Sequence, residues 1–129
     1  MEISKSQFEK WVAEAVDSLP EKYLSHMHNV AIFVEDYPTW EQKRKSRLRR
    51  GSVLFGLYEG YHQALRLDVG PALPDRITIF RRPIIDSFGS EEEIKEQIKN
   101  TVQHEIAHHF GSGEEGARRA GKRKIIDRK

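Results

Sequence analysis

The sequence predicts an α+β fold, and three observations carry that prediction. Apolar residues recur with helical spacing near the N-terminus. They do so again in a long stretch beginning at Ser90. Between the two lie short segments rich in β-branched residues, bounded by Gly, Pro and Asp.

The first helix is expected from Ser4 to Ser18, where Phe8, Trp11, Val12, Ala15 and Val16 fall on one face. Ser4 or Ser6 can cap it, and Pro20 ends it because the residue before a proline avoids helical geometry. Glu21 to His28 adds one or two helical turns. Asn29-Val30-Ala31-Ile32-Phe33-Val34-Glu35 reads as a buried strand, broken by Asp36-Tyr37-Pro38. Thr39 to Gly51 is charged and fits either a helical stretch or a mobile loop. Ser52 to Glu59 reads as a second strand, with Gly56 and Gly60 marking tight or closely approached backbone. Gly and Pro content makes Gly60 to Pro74 a connecting loop.

Asp75 to Arg82 alternates, with Ile77 and Ile79 on one face and Thr78, Phe80 and Arg82 on the other. Pro83 just beyond it suits an edge strand. In the last helix, Ser90 and Glu93 form a capping box, and Glu91, Glu92 and Glu93 suit the positive end of the dipole. Ile94, Ile98, Val102, Ile106 and Phe110 continue it to Gly111, a C-terminal cap.

Length and composition narrow the possibilities. A chain of 129 residues is sized for a single domain. With 37% hydrophobic and 33% charged residues, it should build a modest core under a heavily charged surface. It has no cysteine, which excludes disulfides and leaves His and carboxylate as the available metal ligands. No apolar run reaches the roughly 20 residues of a membrane span, and the N-terminus lacks a secretory pattern, so a cytoplasmic location is expected. Basic residues cluster from Lys43 to Arg50 and in a tail from Arg118 to Lys129. No stacking aromatics interleave with them, which makes a nucleic-acid partner the weaker reading.

The chemistry lies in His104-Glu105-Ile106-Ala107-His108. At about 100° per residue, the two histidines stand about 40° apart and one turn from each other. Both imidazoles can therefore reach one metal ion. Glu105 is displaced by about 100° from His104 and about 60° from His108, so it flanks the metal without ligating it. A carboxylate in that place can take a proton from an activated water and return it to a leaving amine.

A catalytic zinc site needs a third protein ligand and one open position. Gly111 and Gly113 allow a sharp turn, and Glu114 stands at the third-ligand spacing, with Glu115 as its neighbouring alternative. His109 points toward the core side and reads as structural or as support to the site. His26, His28 and His62 have no ligand spacing to the motif.

These segments resemble the bacterial family of minimal zincin-like metallopeptidases, small proteins with a HExxHxxGxx(Asp/His) signature near the C-terminus. Gly56-Leu57-Tyr58-Glu59-Gly60, Leu73 to Arg81 and His104 to Gly111 look like family segments in family order. The resemblance implies a small twisted sheet packed on helices, with an edge strand beside the metal. It also implies Zn2+ on His104 and His108, Glu105 as general base and Gly111 as the turn. At the third-ligand position this chain carries Glu114 where the family usually has Asp.

The expected activity is zinc-dependent hydrolysis of a peptide or protein substrate. That substrate would pair by strand addition with the Ile77-to-Arg81 segment, through Ile77, Ile79 and Arg81. Arg81 and Arg82 would either favour acidic peptides or simply be solvated, and Tyr58, Tyr61 or His62 could help stabilise the oxyanion. Two alternatives stand beside it: a zincin-fold peptide-binding domain without turnover, and a basic nucleic-acid-associated protein.

Overall fold

The computed structural model describes residues 2–46, 52–60 and 74–109. Helix α1 spans Lys5–Asp17. Of the two candidate caps, Ser4 is the one used: its hydroxyl accepts from the Gln7 amide at 3.1 Å. Phe8, Trp11, Val12 and Ala15 form its buried face, as the spacing predicts. One short turn, α2 (Glu21–Leu24), leads to strand β1 (Val30–Glu35).

The ambiguous charged segment begins as a helix, α3 (Trp40–Ser46). Its start is a reciprocal cap between Thr39 and Gln42, each backbone amide donating to the other's side chain at 2.9 and 3.0 Å. Strand β2 is shorter than expected, Gly56–Glu59, and residues 52–55 approach it without regular structure. Strand β3 (Asp75–Phe80) hands over directly to helix α4 (Arg81–Ser87), and α5 (Glu91–His109) follows. The predicted cap holds: Ser90 Oγ accepts from the Glu93 amide, while Glu93 Oε1 accepts from the Gly89 amide, one residue beyond the usual partner.

The three strands form one mixed sheet in the order β1-β3-β2, with β3 parallel to β1 and antiparallel to β2. Here the sequence reading needs correcting. The Ile77-to-Arg81 segment is not an exposed edge: residues 77–80 lie in the middle strand, hydrogen-bonded on both sides. Ile77, Thr78, Ile79 and Phe80 are all fully buried, so both faces of the strand are covered. Pro83 marks a helix start, since the first turn of a helix requires no donor from it.

Register then fixes the layers. Val34, Ile79 and Gly56 align across the sheet, as do Ile32, Ile77 and Tyr58. Ile77 and Ile79 join Phe8, Trp11 and Val12 of α1 and Ile94, Ile98, Val102 and Ile106 of α5 in one cluster. Each such side chain contributes roughly 1.5–3 kcal/mol by leaving water, which holds α5 on the sheet far more firmly than helix propensity could. On the opposite face Leu54, Leu57 and Phe80 make a second, smaller cluster. This is an α+β arrangement with five helices and three strands among the described residues. None of these helices is long and apolar enough to cross a membrane.

Candidate active site

The C-terminal half of α5 carries the site, and its direction along β2 places the side chains. His104 and His108, one turn apart, stack with ring centroids 6.1 Å apart and planes within 8°. His104 is buried, its Nε2 fully so, and His108 is half-buried. Glu105 is 3% exposed, and its Oε1 accepts from the Tyr58 backbone amide at 3.1 Å. That amide belongs to the outer side of β2. The Phe80 amide donates to the Phe55 carbonyl, so Phe55 faces β3 and, by the alternation of an antiparallel pair, Gly56 and Tyr58 face outward. The helix motif and the outer side of β2 therefore meet at one hydrogen bond.

Two imidazoles sharing a zinc at about 2.0–2.1 Å from each nitrogen hold their centroids roughly 5–6 Å apart. The observed centroid spacing of 6.1 Å is close to that, and imidazole suits zinc. A divalent cation beside Glu105 would also offset the cost of burying a carboxylate. The pair fits the metal. Among the described residues no third ligand is gathered with it. Glu114 and Glu115 lie outside the described residues, as do Gly111, Tyr61, His62, the His109 side chain and the basic tail.

Other expected site residues fall elsewhere. Arg81 opens α4, and its guanidinium binds Asp36 Oδ1 at 2.9 Å and the Ile3 carbonyl. Arg82 binds Asp86 and Glu2. Both guanidinium groups are thus committed within the fold, which removes them as receptors for acidic peptides. The Tyr58 hydroxyl donates to Asp75 Oδ2 at 2.7 Å, so this residue reaches the site through its backbone amide. His28 makes a local contact, its Nδ1 3.4 Å from the Ser25 carbonyl.

A family model, the zincin-like metallopeptidase, matches residues 27–121. The chain belongs to the zincin-like metallopeptidase family. Its match takes in all three strands and the whole of α5. Among solved structures, the chain is similar to a conserved hypothetical protein from Thermo thermophilus, at 19% identity and a TM-score of 0.57. That likeness covers 84% of this chain and 95% of the other, and it concerns the fold alone. No curated protein matches the chain by sequence.

Proposed function

We propose that this zincin-like protein is a zinc-dependent peptidase in which His104 and His108 would hold the metal and Glu114 would complete its protein ligands. The observation that carries the reading is the stacked pair of imidazoles with Glu105 beside it, fastened to the outer side of β2. Zinc, when bound, would supply polarisation of the scissile carbonyl and a lowered pKa for water in its open position.

The chain's own residues do the rest. Oε1 of Glu105 is committed to the Tyr58 amide, which fixes the plane of the carboxylate. So oriented, the Glu105 carboxylate takes a proton from the attacking water and returns it to the leaving amine. An extended substrate pairs with the outward backbone of Gly56, beside the Tyr58 amide that Glu105 holds, rather than with Ile77 or Ile79, because β3 has no open side, or with Arg81, which opens α4.

The test joins metal analysis to one substitution. The purified protein should contain stoichiometric zinc. Glu105→Gln should keep the zinc and lose about 10²–10⁴-fold in cleavage of a broad peptide library. Equal cleavage by the two proteins would end the peptidase reading. Absence of zinc together with salt-sensitive RNA binding would end the metal reading as well.

A further inference from the structure

Gly56 lies where β2 and α5 come closest. A Cβ built on it would meet Thr101 Cγ2 at 2.5 Å, the Thr78 carbonyl oxygen at 3.2 Å and Ile79 Cδ1 at 3.3 Å. Thr101 cannot easily retreat: it is 2% exposed, and its Oγ1 accepts from Gln97 Nε2 at 2.9 Å. The glycine therefore serves closeness of approach.

The same two elements meet again at Tyr58 and Glu105. From Gly56 to Tyr58 the strand advances about 6.6–6.8 Å. From Thr101 to Glu105 the helix advances about 6 Å. The two contacts are thus rungs of one ladder, and the spacing at the first sets the spacing at the second.

We infer that Gly56, with Thr101 opposite it, is a positioning residue that sets the height of α5 over β2 and so holds Glu105 on the Tyr58 amide. The magnitudes decide it. Ordinary van der Waals contact for a Cβ begins at 3.4 Å, so a methyl group at position 56 must push Thr101 back by roughly 1 Å. Added to a 3.1 Å hydrogen bond, that displacement carries the Glu105–Tyr58 pair out of hydrogen-bonding range. A misplacement of about 1 Å at a reacting group is worth roughly 100-fold in rate. The catalytic consequence rests on the peptidase reading, whereas the geometric one does not.

The test is made on the full chain, with hydrogen exchange of the Tyr58 amide, zinc content and kcat/KM followed together. Glu105→Ala sets the exchange rate of a Tyr58 amide that has lost its acceptor. Gly56→Ala should exchange at least about tenfold faster than wild type, toward the Glu105→Ala level, while retaining zinc. Its kcat/KM should fall about 100-fold.

Thr101→Ser removes the Cγ2 and keeps the hydroxyl. Gly56→Ala/Thr101→Ser should therefore recover most of both losses, which a general weakening of the fold would not allow. If Gly56→Ala does not fold, Gly56→Ala/Thr101→Ala removes both side-chain atoms and should fold with a protected Tyr58 amide. Wild-type exchange in Gly56→Ala overturns the inference. So does a double variant no closer to wild type than the single one, or one that stays unfolded. If the wild-type protein cleaves no peptide, the peptidase reading fails, and Tyr58 exchange still decides the role of Gly56.

Discussion

The two halves of α5 are built to different rules. From Glu91 to Asn100 it is an ordinary amphipathic helix: Ile94 and Ile98 are buried, while Glu91, Glu92, Glu93, Lys95 and Glu96 face solvent. From Thr101 onward the polar residues turn inward as well. Thr101, His104 and Glu105 are buried beside Val102 and Ile106. Burying an imidazole and a carboxylate costs free energy that their partners must offset, as the Tyr58 amide does for Glu105, so the second half depends on tertiary polar partners where the first depends on aliphatic packing. The difference teaches that one helix can seat a buried polar cluster when its neighbouring turns are anchored by aliphatic packing.

The sharpest way to break this comparison is His104→Ala. It should weaken zinc binding by more than about 100-fold. In the presence of chelator the variant should still unfold in one cooperative transition, as a denaturant titration would show. Loss of folding in that titration would mean that the second half is structural after all.

Ile98→Ala tests the first half. It should cost about 2–5 kcal/mol of stability, read from the shift in the denaturation midpoint. Zinc stoichiometry should be unchanged while the protein remains folded. Ser90→Ala, at the start of the same half, removes the acceptor for the Glu93 amide and should cost about 1 kcal/mol by the same measurement.

The smallest effect is expected at an exposed pair, which contrasts with the buried polar groups of α5. The Arg81 guanidinium, hydrogen-bonded to Asp36, holds that carboxyl below its ordinary 3.8. A carboxyl lowered on folding adds stability above its unfolded value and loses it as pH falls through the lowered one. Unfolding midpoints taken from pH 5 down to pH 2 should therefore fall slightly more steeply for wild type than for Asp36→Asn. Identical profiles would remove even that modest role.

Parts of this were legible in the chain. Helical spacing gave α1 and its buried face, Ser90 and Glu93 announced the start of α5, and HExxH placed two imidazoles on one side of a helix. Gly56 was readable as a close approach, though not what it approached. Other signals were present and pointed elsewhere. Pro83 suggested an edge strand, yet the nearly continuous apolar run Ile77-Thr78-Ile79-Phe80 is what burial on both faces looks like. Thr39 and Gln42, spaced as a capping box, marked the start of α3 within a segment that charge alone left undecided. The part played by the Tyr58 amide left no trace, because a backbone donor has no side-chain signature.

What the sequence by itself determined is what local periodicity and side-chain chemistry can encode: the helices, the strand segments, and a histidine pair with a glutamate beside it. What only the tertiary structure decided is which strand lies in the middle, which edge adjoins the motif, and which atom holds Glu105. Those depend on strand order and on the approach of β2 to α5. Both are set by contacts between residues distant along the chain, from 17 positions apart for Glu59 and Arg76 to 47 for Tyr58 and Glu105. Residue periodicity reports how a segment meets its surroundings, and it carries no information about which segment those surroundings will be.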